Sequence, residues 1–238
     1  MKILVVSHER SGTHFLINSI SANFGFNNNQ IDVFARDAIN PSRSNQEEYR
    51  SKIINFCELQ KGLDNRIYKS HHQDGFFDIH KLNESYHIFY IVRDPRDVLV
   101  SCYYYFNRSN VTAFPRVKNV CDLAFNTKPY RYPFDGAYSL VKSEDFVSRW
   151  ITHVRGWLDK ATIITYEEMK TNFSSAMRKV SVVLGRDLTG CVVPTLGNKS
   201  VSPRKGIVGD WTNHFDAKSN NIICNRIKEA GLSDFLQK

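Results

Sequence analysis

Lys2-Ile3-Leu4-Val5-Val6-Ser7-His8-Glu9-Arg10-Ser11-Gly12-Thr13-His14-Phe15 is the stretch whose reading decides the fold. An apolar run of strand length meets a turn of small residues, and that turn opens an amphipathic helical pattern over 12–24. Backbone N–H groups at such a turn point the same way, the helix dipole adds partial positive charge, and Arg10 brings a permanent cation. A phosphate or a sulfonate fits that layout. The loop is not a Walker A sequence, because no glycine stands near Glu9 and Thr13 stands where the lysine is required. Taken alone, the segment also reads as an ordinary strand-to-helix turn capped by Ser11 or Thr13, so the rest of the chain has to decide.

Further apolar runs of strand length lie at 66–69, 87–92 and 162–165, besides 2–6. Helical patterns separate them at 12–24, 46–60, 76–82, 95–106, 143–158, 173–184 and 217–230. Strands alternating with helices predict an α/β fold, a single parallel sheet flanked by helices on both faces, with ligands bound at the carboxyl ends of the strands. Two stretches, 107–141 and 189–208, carry prolines and no clear periodicity, and loops of that length usually serve as lids or binding loops. The first is rich in aromatic residues, among them Phe114, Tyr130, Tyr132 and Phe134, which suit either an acceptor pocket or the plugging of a core beneath a long loop.

A chain of 238 residues supports one sizeable core, so a single domain over 1–238 is expected. The content of 42% hydrophobic and 24% charged residues, with no low-complexity tract, excludes a disordered protein. No run approaches the roughly 18 apolar residues of a membrane span, and no leader pattern opens the chain, so a cytoplasmic location is expected. The five cysteines are scattered without metal-ligand spacing, which predicts reduced thiols and no metal site. A net charge of +8 suits an anionic ligand, and the absence of a helix-turn-helix or RNP-type signature argues against nucleic acid as partner.

After the run ending at Val92 comes Arg93-Asp94-Pro95-Arg96-Asp97-Val98-Leu99-Val100-Ser101. Pro95 suits a first helical turn, Arg93 lies at a strand's carboxyl end, and Ser101 on the following helix can sit near the Arg93 guanidinium, so that both hold one phosphate. Towards the C-terminus, Arg204-Lys205-Gly206 precedes Gly209-Asp210-Trp211-Thr212-Asn213-His214-Phe215, where glycines let the backbone approach an anion.

Together these segments resemble the cytosolic sulfotransferases, which transfer a sulfuryl group from 3′-phosphoadenosine-5′-phosphosulfate (PAPS). Residues 10–15 resemble the family's K-S-G-T-T-W loop for the 5′-phosphosulfate. Residues 93–101 resemble R-N-P-K-D-V-x-V-S, and 204–215 closely resemble R-K-G-x-x-G-D-W-x-N-H-F. Tyr68-Lys69-Ser70-His71 is similar to a segment ending in K-T-H, and Tyr166-Glu167-Glu168-Met169-Lys170 is similar to Y-E-D-M-K.

The resemblance implies a P-loop NTPase-like three-layer α/β/α fold and PAPS as co-substrate without a metal. It implies His71 as the base, with Arg10 and Lys69 beside it as catalytic groups. Arg10, Ser11, Gly12, Thr13 and His14 would hold the 5′ side of the nucleotide. Arg93, Ser101, Arg204, Lys205 and Gly206 would hold the 3′ side, and Tyr166 and Phe15 would lie against adenine. Arg10 replaces the family's lysine, His14 a threonine and Phe15 a tryptophan, so Arg10 would stabilise charge without donating a proton. His72 adjoins His71, and strand alternation would turn one of the two towards the crevice.

In-line sulfuryl transfer can be reasoned as phosphoryl transfer is, from positioning and charge stabilisation, with an imidazole taking the proton of a hydroxyl or amine acceptor. The acceptor is expected to be a small molecule or a glycan, in a pocket shaped by residues 26–64 and 107–141. The competing readings are a P-loop-like ATP-dependent kinase, which would call for a Walker lysine, and a non-catalytic anion-binding module. The family's C-terminal dimer segment is not recognisable after Phe215, which leaves the oligomeric state open.

Overall fold

The first apolar run builds the centre of the sheet. In a computed structural model the described residues are 1–32, 65–108, 116–127, 145–195 and 205–237. They run in the order β1 (Lys2–Val6), α1 (Thr13–Phe24), β2 (Asn27–Asp32), β3 (Arg66–Ser70), α2 (Ile79–Ser85), β4 (Tyr86–Val92), α3 (Pro95–Arg108) and α4 (Val120–Ala124). There follow α5 (Phe146–Trp157), β5 (Thr162–Thr165), α6 (Tyr166–Thr171), α7 (Phe173–Leu184) and α8 (Ala217–Glu229), with 3-10 turns at Asp74–Phe76, Asp210–Asn213 and Ser233–Phe235.

The sheet has the order β2-β3-β1-β4-β5 with every pairing parallel. All five residues of β1 are buried, as a strand covered on both faces requires. Its side chains alternate between two cores. Leu4 and Val6 pack with Phe76, Leu99 and Trp150 beneath α3, α5 and α8, whereas Ile3 and Val5 pack with Leu16, Ile17 and Met177 beneath α1 and α7. Helices thus cover both faces, and the three-layer α/β/α arrangement expected from the sequence is the one observed.

The helix starts are set by short polar side chains. Asp145 accepts from the Ser148 N–H at 2.8 Å, Thr165 from Glu168 at 3.0 Å and Asp216 from Ser219 at 2.7 Å, which fixes where α5, α6 and α8 begin. The strands end in register. Val6 pairs with Ser70 across β1 and β3, and Val92 pairs with Thr165 across β4 and β5, so the residues that follow these strands emerge along one edge of the sheet.

Several expectations need correction. Strand β2 is additional; its sequence, Asn27-Asn28-Asn29-Gln30-Ile31-Asp32, has no apolar run, and an edge strand paired through its backbone needs none. The helix expected over 76–82 is a 3-10 turn followed by α2, because Asp78 accepts from the Lys81 N–H and starts a new helix there. A short helix, α4, interrupts the loop expected over 107–141. The helix expected over 46–60 lies outside the described residues, as does most of 26–64 and of 107–141.

Candidate active site

The turn after β1 is built on two residues in the left-handed region, Arg10 at φ 65° and Gly12 at φ 102°. At Gly12 a side chain is excluded twice, by that angle and because a Cβ would collide with the Tyr166 ring. Gly12 is the N-cap of α1 and provides no side-chain cap, so the ordinary turn capped by Ser11 or Thr13, the alternative reading of this segment, is not what starts this helix. Thr13 instead bonds the Ser7 hydroxyl at 2.7 Å. The Ser11 hydroxyl is fully buried and makes no hydrogen bond among the described residues. The Arg10 guanidinium reaches across to α3, where its Nε donates to Ser101 Oγ at 3.2 Å and its plane lies 4.7 Å from the Tyr105 ring centre.

The end of β3 separates the two adjacent histidines. His72 is fully buried against Phe76 and Phe77, with its Nδ1 2.8 Å from Ser70 Oγ. His71 faces the turn and is partly exposed. Its Nδ1 lies 3.0 Å from the Ser7 carbonyl and 3.2 Å from Ser7 Oγ. A carbonyl can only accept, so Nδ1 carries the proton and the Nε2 lone pair is the basic position of the neutral ring. Burial, and then the Lys69 ammonium, lower the His71 pKa to about 4, so the ring is neutral at physiological pH.

At the end of β4, Arg93 is 5% exposed. It donates to the Ile207 carbonyl at 2.8 Å, lies 3.4 Å from Asp97 Oδ2 and stacks 4.3 Å from the Tyr166 ring centre. Its Nε is buried and makes no hydrogen bond among the described residues. Asp97, fully buried, accepts the backbone N–H groups of Gly209 at 2.8 Å and Trp211 at 3.0 Å. That single carboxylate therefore ties the Gly209 turn to α3. Tyr166 donates to the Gly206 carbonyl at 3.1 Å and meets Phe15 edge-on with ring centres 6.1 Å apart.

Beside this, Asp94 and Arg96 form a bidentate pair, stacked on Trp211, that also holds the backbone of Gln237. Glu167 accepts from the Asp94 N–H at 3.1 Å, yet burial pushes its carboxyl up to about 7.

The sequence-named residues therefore converge. Arg10 meets Ser101, although sequence reasoning assigns them to opposite ends of the ligand; the hydroxyl expected beside Arg93 is bonded to Arg10. Gly12, Phe15, Arg93 and Gly206 all meet Tyr166. Lys69 acts on His71 through its charge, Ser11 lies on the turn, His14 lies in the first turn of α1, and Lys205 is exposed. Arg204 lies outside the described residues. Sequence reasoning misses Ser7, Asp97 as the clasp of the Gly209 turn, and His153 and Tyr90 behind His71. His153 could have been found, because it interrupts the apolar stripe of Trp150, Val154 and Trp157 on α5.

The chain matches the family described as sulfotransferase domain over residues 1–232. A 3-alpha-hydroxysteroid sulfotransferase from Cavia porcellus is 28% identical over 200 residues, covering 70% of this chain and 64% of that protein. Sulfotransferase 1E1 from Bos taurus is 25% identical over 252 residues, covering 92% of this chain and 79% of its own length. The alignment with Sulfotransferase 2B1 from Mus musculus, 26% identical, covers 69% of this chain and 53% of that protein. The chain thus spans about half to two-thirds of the length of some of the curated relatives it matches. The crystal structure of mouse sulfotransferase SULT7A1 complexed with PAP shares the fold with a TM-score of 0.61 at 22% identity, over 96% of this chain and 83% of that one.

Proposed function

This chain belongs to the sulfotransferase domain family, and from that premise we propose that it transfers a sulfuryl group from PAPS to a hydroxyl or amine of a small-molecule or glycan acceptor by in-line displacement. The observation that carries the reading is the His71 ring, held at Nδ1 by Ser7, beside the turn that carries the buried Ser11 hydroxyl and Arg10. The fit of the nucleotide is supported by two orphaned groups, Ser11 Oγ and Arg93 Nε, which are buried without a hydrogen-bond partner among the described residues. Buried polar atoms rarely stay unpaired, and two of them, one on the turn after β1 and one at the end of β4, suit an anionic ligand. PAPS supplies the sulfuryl group and leaves as the 3′,5′-bisphosphate.

In this reading His71 Nε2 takes the proton of the acceptor. A nucleotide carrying several negative charges raises the affinity of the nearby imidazole for that proton, which offsets the depression caused by burial and Lys69. Arg10, Lys69, Ser11 and the backbone of 12–14 stabilise charge on the transferring group and on the leaving oxygen. Arg10 bonds Ser101, so one guanidinium is shared between the two ends of the ligand, with Arg93, Arg204, Lys205 and Gly206 completing the 3′ side. Tyr166 and Phe15 supply the aromatic walls for adenine, and Gly12 leaves the room Tyr166 occupies.

The proposal includes a single domain over 1–238, with 26–64 and 107–141 shaping the acceptor pocket, and a cytoplasmic location. No helix among the described residues is long and apolar enough to cross a membrane. The names of the relatives, hydroxysteroid sulfotransferases among them, favour an alcohol as the first acceptor to try. The test is calorimetric titration with 3′,5′-bisphosphoadenosine, ADP and ATP without metal, followed by an acceptor screen with PAPS. Preferential binding of the bisphosphate is expected, because each charged hydrogen bond to the 3′-phosphate contributes about 1.5–3 kcal/mol. Preference for ATP, or no nucleotide binding, overturns the reading.

A further inference from the structure

We propose that His153 is a positioning residue for His71, fixing the backbone that carries the base through a hydrogen bond to the His71 carbonyl, with Tyr90 holding His153 in the tautomer that can make it. This rests on the reading of His71 as the base.

The His71 ring is held at Nδ1 by Ser7, but where the ring stands also depends on the peptide from which it projects. That peptide has already left the sheet, since β3 ends at Ser70. Its carbonyl lies 3.0 Å from His153 Nε2 on α5, and Tyr90 OH lies 2.8 Å from His153 Nδ1. The carbonyl accepts only, so Nε2 is the protonated nitrogen of the neutral ring. Nδ1 is then a lone pair, and Tyr90 is the donor to it. Both hydrogen bonds of the imidazole are thereby assigned without ambiguity. One helical turn on, Trp157 Nε1 donates to the His72 carbonyl at 3.0 Å. Residues four apart on one helix face thus grip two successive carbonyls of the segment leaving β3.

The grip is rigid. His153 is 3% exposed, and Tyr90 and Trp157 are fully buried. Trp157 stacks on Tyr90 with ring centres 6.5 Å apart, and Tyr90 in turn belongs to the strand paired with β1. The His71 peptide is therefore referred back to the centre of the sheet by a side-chain chain of two links. A purely apolar residue at 153 would pack in this core, but it would remove that donor from the His71 carbonyl. The groups that face the two imidazoles are Glu9 and His8 from the turn after β1, Lys69 on β3, His72, Asp74 and Tyr90, together with each other.

The test compares His153→Gln, His153→Leu and Tyr90→Phe with wild type and with His71→Ala. It reads kcat and its pH profile with PAPS and an alcohol acceptor, the Kd of 3′,5′-bisphosphoadenosine, and the His71 ring nitrogens by NMR. Expected for His153→Leu is a fall in kcat of roughly 10- to 100-fold, as for a small displacement of a reacting group, with the Kd unchanged and the acid limb of the profile moved. Gln carries an N–H at similar reach and restores most of kcat. Tyr90→Phe lowers kcat less, because the tautomer is then chosen by the carbonyl alone.

A folded His153→Leu with wild-type kcat, pH profile and His71 nitrogen shifts overturns the proposal, and so does a Gln variant no better than Leu. Should the Leu variant fail to fold, Tyr90→Phe decides: an unchanged pH profile and unchanged His71 shifts overturn it. If wild type transfers no sulfuryl group, the reading of His71 as base has failed. The nitrogen shifts of His71 in the Gln and Phe variants then still decide whether His153 orients it.

Discussion

Arg10 and Ser101, 91 residues apart in the chain, meet at 3.2 Å, so the turn after β1 and helix α3 are latched by a single guanidinium. Removing the hydroxyl leaves Arg10 without that acceptor and removes a donor proposed for the 3′ side. Ser101→Ala is expected to weaken bisphosphate binding by about 1–2 kcal/mol while leaving ADP binding nearly unchanged, measured by calorimetry. Equal losses for both nucleotides would show that Ser101 does not read the 3′-phosphate.

Gly12→Ala drives a methyl group into Tyr166 Cδ2 at a backbone angle of φ 102°. The ring cannot yield freely, because its hydroxyl is bonded to Gly206 and its face is stacked on Arg93. The variant is expected to lose roughly 1–3 kcal/mol in denaturant unfolding, and its nucleotide affinity should fall with the displaced Tyr166. An unchanged midpoint and affinity would show that the turn accommodates the methyl group without cost.

Asp97→Asn replaces an acceptor of two backbone N–H groups and a neighbour of Arg93 with a side chain that can accept at only one atom. Either Gly209 or Trp211 is left with its N–H unpaired, and Arg93 loses its countercharge. The expected cost is about 3 kcal/mol, with faster amide hydrogen exchange at 207–212 than elsewhere in the sheet. Uniform acceleration across the chain would mean that Asp97 supports the whole fold rather than this turn.

Acid should destabilise the protein before its carboxylates titrate. Burial, and then the Arg149 charge, lower His8 to about 3, and burial, then His8, lowers His153 to about 4. The unfolded chain takes up protons at these residues below about 6.5 and the native protein does not, so stability present above that pH is lost as the pH falls towards 4, at up to about 1.4 kcal/mol per unit for each group. Glu167 acts in the opposite sense. Its native carboxyl, raised to about 7 by burial, holds a proton that the unfolded chain has released, so its contribution is lost as the pH rises from 4.5 through 7. Urea unfolding from pH 5 to 8 should show both slopes, with Glu167→Gln removing only the second. A pH-independent midpoint between 5 and 6.5 would contradict the buried neutral histidines.

What the sequence discloses is what rests on local pattern. The four apolar strands and the helices over 12–24, 95–106, 143–158, 173–184 and 217–230 are periodicities that burial on a sheet imposes, and those elements fall within a few residues of where the pattern puts them. The polar strand β2 leaves no such pattern, because its backbone pairing is indifferent to side chain. Motif residues are legible where chemistry and spacing coincide, as at Arg10 and Arg93. Pairings set by topology are not: Asp97 clasps N–H groups more than a hundred residues away, and Ser7 meets His71 only because β1 and β3 are neighbours in the sheet. The bond between Arg10 and Ser101 is hidden for the same reason, since nothing in the spacing reveals that the Arg10 side chain crosses to α3.

Arg10 holds a backbone angle, φ 65°, that costs a side-chain-bearing residue about 1 kcal/mol and glycine nothing. This position is therefore a place where selection for a stable backbone and selection for a bound anion pull towards different residues, glycine for the first and a cation for the second. A library screened on thermal stability would drift towards glycine there, and one screened on ligand capture would return the arginine. Conflicts of this kind mark, in a single residue, where a fold has been bent to a purpose.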